Sequence, residues 1–233
     1  MKRLILLALS VMLFGCHAHQ ISQPSPQLSM EEQNAGWKKL FDGKTFEGWR
    51  GFKKETVPKG WQITKNSELY FKPKGGGDIM TAGQFGDFEL QLEWKIAKGG
   101  NSGIMFWVTE DEEFPWRTGP EMQVLDNAKH KDGLNSKTSA GSNYALHAPV
   151  QNVARPAGEY NTVRLVTKGT HIEHWLNGVK IVEYEVGSPE WEALVAASKF
   201  GKMPKYGRKR KGHIVLQDHG DKVWYRNIKI RPL

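Results

Sequence analysis

The chain has 233 residues, 25% of them charged and 39% hydrophobic, a balance that excludes collagen-like, coiled-coil and largely disordered chains. Nine Trp, ten Phe and six Tyr are enough for a core, and 25 Gly with 11 Pro favour strands and turns over helices. Lys and Arg total 33 against 25 acids, and this net charge of +8 is dispersed along the chain, so it defines no anionic partner by itself.

At the N-terminus, Lys2 and Arg3 precede an apolar run over residues 4–14, interrupted only by Ser10. Spanning a bilayer takes about 20 apolar residues, so this run predicts a secretory segment rather than a membrane helix. It ends Leu13-Phe14-Gly15-Cys16, which resembles the lipobox of bacterial lipoproteins, in which cleavage precedes the Cys and the Cys carries lipid. Cys16 is the only cysteine, so no intramolecular disulfide forms. The plain alternative is a signal peptide with an incidental cysteine. Lipid contributes about 0.8 kcal/mol per buried CH₂, so several chains on Cys16 predict a protein held on a membrane face in the cell envelope. His17, rather than an Asp there, favours the outer membrane, facing the periplasm or the cell surface. Residues 17–35 are polar, with Pro24 and Pro26, and read as a flexible tether. The globular domain reads as 36–233.

Within the domain, apolar and polar residues alternate repeatedly. Phe88, Leu90, Leu92, Trp94 and Ile96 share one face of a predicted strand, and Asp87, Glu89, Gln91, Glu93 and Lys95 share a solvated one. Residues 104–108 are apolar on both faces and predict a central strand. Residues 162–167 and 170–176 follow as strands about Lys168-Gly169. Asn177-Gly178 then stands between apolar runs, a strong hairpin signal because both residues tolerate positive φ. Ser188 as N-cap and Pro189 at the first helical position predict one helix, ending near Phe200-Gly201. Residues 214–217 and 223–230 close the chain as strands. About a dozen strands and one short helix predict an all-β sandwich of two antiparallel sheets, a jelly roll rather than a barrel.

Three segments carry candidate chemistry. In Gly119-Pro120-Glu121-Met122-Gln123-Val124-Leu125-Asp126 a regular strand points Glu121 and Gln123 one way and Met122 and Val124 the other. Asp126 joins Glu121 only across a bulge. This E-x-Q-x-x-D spacing resembles the E-x-D-x-x-E strand of bacterial β-glucanases, but the middle acid is Gln and the last is Asp, so a close carboxylate pair is not expected. In Leu216-Gln217-Asp218-His219-Gly220, Gln217 and His219 share a direction if the strand continues through them, and His219 suits proton transfer near neutral pH. The alternative there is a turn closed by Asp218. Gly99-Gly100-Asn101-Ser102-Gly103 is a hairpin turn or a close approach for a ligand, with Asn101 as a donor and acceptor. Of the other histidines, His130 and His147 lie in loop-like sequence as further candidates, and His171 and His174 face opposite ways. The basic run Lys199, Lys202, Lys205, Arg208, Lys209, Arg210 and Lys211 reads as a solvated loop, and nucleic acid is not an expected partner.

Taken together, Trp37-Lys38-Lys39-Leu40-Phe41-Asp42-Gly43-Lys44-Thr45 with Gly48-Trp49, Phe85-Gly86-Asp87-Phe88-Glu89-Leu90, Gly100-Asn101-Ser102-Gly103-Ile104, the Gly119–Asp126 string, Glu173-His174-Trp175-Leu176-Asn177-Gly178, Gly212-His213-Ile214-Val215-Leu216-Gln217-Asp218-His219-Gly220 and Val223-Trp224-Tyr225-Arg226-Asn227-Ile228 resemble, in order, the 3-keto-disaccharide hydrolase domain family. The resemblance covers residues 36–233. It implies a concanavalin A-like lectin/glucanase jelly-roll sandwich and a glycoside substrate already oxidised to a ketone at C3.

Such a ketone acidifies the C2 hydrogen. A base removes it, the enolate expels the C1 oxygen, and water adds to the enone, so elimination and hydration together amount to hydrolysis. The reaction needs a base, an acid for the leaving oxygen and a stabiliser for the enolate oxygen. Glu121 and His219 are the expected catalytic pair, in unassigned order. Asn101, Gln123, Gln217, Asp218 and Trp116 are the expected substrate-binding residues, with Asp218 also orienting His219 and Trp107 expected in the core. No cofactor is demanded. A divalent cation such as Ca²⁺ on Asp126 and Asp218 is left open as a stabiliser of the enolate. Two other functions stand beside this one: a non-catalytic glycan-binding module on a membrane tether, and a conventional glycoside hydrolase.

Overall fold

A computed structural model describes residues 27–233; the apolar run at 4–14 and Cys16 lie outside the described residues. The chain enters through α1 (Met30–Asn34) and then forms β1 (Lys38–Lys39), β2 (Trp49–Gly51), β3 (Trp61–Ile63), β4 (Leu69–Phe71), β5 (Ile79–Thr81), β6 (Phe88–Ile96) and β7 (Asn101–Val108). There follow β8 (Glu121–Leu125), β9 (Asn161–Lys168), β10 (His171–Leu176), β11 (Val179–Glu185), α2 (Pro189–Ala197), β12 (His213–Leu216) and β13 (Val223–Pro232). One sheet has the order β11-β10-β9-β6-β13-β4-β3, with β1 added on β13, and the other the order β2-β5-β12-β7-β8. Neighbouring strands run antiparallel throughout. Late strands lie between early ones, β13 beside β6 and β12 between β5 and β7, which is the connectivity of a jelly roll rather than an up-and-down barrel.

The alternation along β6 is the reason for this packing. Phe88, Leu90, Leu92, Trp94 and Ile96 are all buried in the core between the sheets, each contributing about 1.5–3 kcal/mol of apolar burial. Its outer face is not simply solvated: Glu89 is buried between Arg164 and Arg231, and Glu93 pairs with Arg226 and Asn227. Strand β7 is buried along its whole length, as its two apolar faces require. Within it Trp107 adopts φ +55°, where the ladder to β12 shifts register between His213 and Val215. Its indole donates to the Gly86 carbonyl at 2.9 Å from inside the core. The β10–β11 hairpin turns at Asn177 (φ +51°) and Gly178 (φ +83°), both in the left-handed region.

Helix α2 starts as expected, with the Ser188 hydroxyl accepting from the Trp191 N–H. It stops at Ala197, earlier than the spacing predicted, because Ser198 caps a separate 3₁₀ turn, Lys199–Lys202. A second helix was not expected. Met30–Asn34 falls inside the stretch read as tether, yet Ser29 and Glu32 close a reciprocal capping box. Glu32 pairs with Lys229 on β13, so the end of that stretch is fastened to the domain.

Candidate functional site

Strand β8 sends Met122 and Val124 into the core, which leaves Glu121 and Gln123 on the outer face of the five-stranded sheet. Beside them β7 places Gly103 opposite Gln123. An ideal Cβ on Gly103 would overlap Glu121 Oε1, so only glycine leaves room for the carboxyl. Beyond β12 the chain stays on this sheet: the Gln217 N–H donates to the Gly103 carbonyl at 3.0 Å, and the Ser102 hydroxyl donates to the Gln217 carbonyl at 2.6 Å. Asp218 then makes the turn. Its carboxylate accepts from the Gly77 N–H at 2.7 Å and the Gly220 N–H at 2.8 Å, and its own N–H donates to Asp78 at 2.8 Å. The turn delivers His219 to the rim of a hollow of about 140 Å³.

Asn101, Trp116, Glu121, Gln123, Gln217 and His219 line that hollow together, and Tyr144 and Lys199 complete its wall. Glu121 is buried; its carbonyl accepts from the Tyr144 N–H at 3.0 Å, but its carboxyl has no hydrogen-bond partner among the described residues. Burial pushes its carboxyl up, to about 8, against the attraction of Lys199. Asn101 Oδ1 and Gln217 Oε1 are buried acceptors with no partner among the described residues; buried polar atoms are ordinarily paired, so both are available to a ligand in the hollow. The Lys199 pKa is lowered by loss of water around its ammonium, partly offset by Glu121 and Asp132.

Several expected residues have other duties. Gln123 spends its amide inside the protein, donating to the Thr138 carbonyl at 3.3 Å and accepting from the Val124 N–H at 3.2 Å. Asp218 does not line the hollow; it holds the turn, while Gln217 and His219 on either side of it line the hollow. No bulge turns Asp126 towards Glu121. Its two oxygens accept from Gly99 and Ala128, so it braces the β6–β7 turn. Each of the two carboxylates accepts two backbone N–H groups, and neither Asp126 nor Asp218 is among the residues that line the hollow. His130 stacks edge-on against His219 at 6.3 Å, near the rim, whereas His147 stacks on Tyr184 away from it. His174 is buried and bonds the Gly141 carbonyl. His171, Glu173 and Glu183 bring ligand atoms within 4.8 Å of one another, but Lys180 already stands there, 2.7 Å from Glu183.

The basic run is exposed along most of its length, as expected of a solvated loop, but several of its cations are paired. Lys205 pairs with Asp111 and Glu112, Arg208 with Glu192, and Arg210 lies on the Trp107 ring. Lys199 belongs to the site. Nothing in its local pattern distinguished it from Lys202, and Tyr144 was an unremarked aromatic in a loop. A larger cavity of about 450 Å³ lies beneath α1 on the opposite sheet. Its acids are all engaged, Glu32 by Lys229, Asp42 by Thr45, and Glu93 by Arg226, whereas the Glu121 carboxyl in the smaller hollow is not, which makes the smaller hollow the candidate site.

Residues 36–231 match the model of a family described as the 3-keto-alpha-glucoside-1,2-lyase-like domain. A Bacteroides thetaiotaomicron protein named 3-keto-disaccharide hydrolase is 38% identical over 230 residues, covering 85% of this chain and 79% of its own. The crystal structure of a putative glycosyl hydrolase from Parabacteroides distasonis superposes with a TM-score of 0.84 at 34% identity, over 89% of this chain and 99% of that one. A Bacillus licheniformis β-glucanase superposes with a TM-score of 0.50 at 11% identity, over 84% and 97%, and bears on the fold alone: a glucanase-type jelly roll, as expected.

Proposed function

The chain belongs to the 3-keto-alpha-glucoside-1,2-lyase-like domain family and is an enzyme of the glycosyl-hydrolase type; from that premise we propose that its hollow cleaves 3-keto-disaccharides and related 3-keto-glycosides by elimination and hydration. The observation that carries this reading is the composition of the wall: one carboxyl, Glu121, and one imidazole, His219. Conventional retaining hydrolysis uses two carboxyls about 5–5.5 Å apart, whereas elimination next to a ketone needs one base and one acid.

The environments divide the two roles. Burial favours the protonated Glu121, so Glu121 gives its proton to the leaving C1 oxygen. His219, at the exposed rim, takes the C2 proton. The electrons of that C–H bond pass into an enolate at C2–C3, then form C1=C2 as the C1–O bond breaks and the C3 carbonyl returns. Water adds its hydroxyl at C1 and a proton at C2. Asn101 and Gln217 present free amide oxygens to sugar hydroxyls, and Trp116 offers an apolar ring face.

Cleavage run in D₂O tests this. Elimination and hydration place one solvent deuterium at C2 of the released 3-keto sugar, beyond any exchange in the free ketone. Cleavage without deuterium at C2 means direct displacement at C1 and overturns the reading. Sugar binding without any turnover would favour a binding module. We also assign the mature protein to the cell envelope through lipid on Cys16, a reading supported by the apolar run that ends at the chain's only cysteine.

A further inference from the structure

Lys199 stands at the head of the 3₁₀ turn Lys199–Lys202, fixed by the Ser198 hydroxyl, which accepts from the Phe200 N–H at 3.1 Å. Its Nζ lies 4.4 Å from the Tyr144 ring centroid, 5.1 Å from that of Phe200 and 5.4 Å from that of Trp116. Tyr144 and Trp116 are themselves walls of the hollow. Among the described residues the ammonium has no salt bridge and no hydrogen bond, in contrast to Lys205, Arg208 and Arg210 of the same run.

Ring faces favour a cation through their quadrupole. Unlike a carboxylate, they do not use up its three N–H donors. The cage thus keeps a positive group in the site, beside a buried carboxyl, with its donors unspent. A preformed charge of that kind is what a developing oxyanion requires, because it need not reorganise as the charge appears.

We propose that Lys199 is a catalytic residue that hydrogen-bonds the C3 oxygen of the substrate and carries the negative charge of the enolate formed there. This rests on the elimination reading above and adds the group that reading lacks. Its bond changes are those already given: the C2 proton goes to His219, the C3 oxygen is negative only while the enolate lasts, and the charge returns to the C1 leaving oxygen, which Glu121 protonates. The ammonium keeps its own proton throughout and makes no covalent bond. The role also gives a basis for selecting oxidised sugars. A C3 hydroxyl develops no charge, so an unoxidised glycoside gains nothing from Lys199.

The test compares the parent protein with Lys199→Met, which keeps the length of the stem against the rings, and with Lys199→Arg. With a 3-keto-disaccharide, Lys199→Met is expected to lose about 100- to 1000-fold in kcat, the usual effect of deleting one oxyanion donor. KM should change by far less, and Lys199→Arg should recover part of the loss. Deuterium exchange at C2 from D₂O should fall with kcat in the Met variant. Lys199→Gln replaces Lys199→Met should the latter melt early. Turnover within about threefold of the parent in the folded neutral variant would overturn the proposal. So would reductive trapping of substrate on Lys199 by cyanoborohydride, which would reveal an iminium. The D₂O experiment on the parent protein judges the elimination chemistry separately. Deuterium at C2 together with an unimpaired Lys199→Met refutes Lys199 alone; no deuterium at C2 refutes the elimination and this role with it.

Discussion

The Glu121 carboxyl occupies the space that a side chain on Gly103 would need. The two residues lie on adjacent strands, β8 and β7, so the acid is positioned by an absence on its neighbour. Gly103 is not among the residues with positive φ, and alanine is conformationally acceptable there. Gly103→Ala should therefore fold but displace the carboxyl, and misplacement by about 1 Å costs on the order of 100-fold in rate. A retained thermal transition with that loss of turnover is the expected result; full activity would show that the carboxyl is not held where it acts.

Replacing Glu121 with Gln removes a general acid, and replacing His219 with Ala removes a base. Each should slow cleavage of a 3-keto-disaccharide about 100-fold or more. The two should differ with a good leaving group. An aryl 3-keto-glycoside needs little protonation at C1, so Glu121→Gln should recover most of its rate there, while His219→Ala should not. Equal recovery in both variants would reverse or dissolve the assignment.

Stability should respond to pH through two buried groups of opposite sign. Burial raises Glu121 from 4.5 to about 8, so the folded state holds a proton the unfolded chain has lost. Its contribution is present below about pH 4.5 and is lost as pH rises towards about 8. Burial lowers His174 from 6.5 to about 4. Its contribution is present above pH 6.5 and lost as pH falls towards about 4. Melting curves should show Glu121→Gln removing the fall in stability between pH 4.5 and about 8, while the fall below pH 6.5 that His174 causes persists. An unchanged slope between pH 6.5 and about 8 would mean that Glu121 is solvated.

Asp218 ties together Gly77, Gly220 and Asp78 around the turn that carries His219. Asp218→Ala leaves two N–H donors unpaired and should cost about 1–3 kcal/mol, with a drop in kcat from a misdirected imidazole. Asp218→Asn keeps one acceptor and should recover part of both. Denaturant titration alongside turnover would separate the two effects.

Cys16→Ser should move the protein from the membrane fraction to the soluble fraction of its native host and abolish incorporation of labelled fatty acid. Labelling that persists in the variant would place the lipid elsewhere or remove it from the account.

Much of the site was legible because period-two alternation is a local property. Glu121 and Gln123 share a face by spacing alone; Gln217 and His219 reach the same hollow through the turn at Asp218 rather than along a continued strand, and the structure brings all four together with Asn101 and Trp116. What spacing cannot show is which polar group is already engaged. Gln123, Asp126 and Asp218 have the right chemistry for ligand contacts, yet each is wholly or largely spent on protein hydrogen bonds. Lys199 was missed for the converse reason. Its setting is made by Trp116 and Tyr144, far away in sequence, so in its own stretch it was one cation among seven. The helix at Met30–Asn34 was overlooked because its only signal, Ser29 and Glu32, stands without an apolar face behind it.

Helix α1 rests on the back of the eight-stranded sheet, held by Glu32 to Lys229, with Trp37 against Lys229 and Arg231, whereas the hollow opens on the far side of the other sheet. The sandwich therefore has a rear and a front. The chain that enters through α1 meets the domain at the rear, with both sheets between it and the opening, so the entering segment lies clear of the path by which a sugar would arrive.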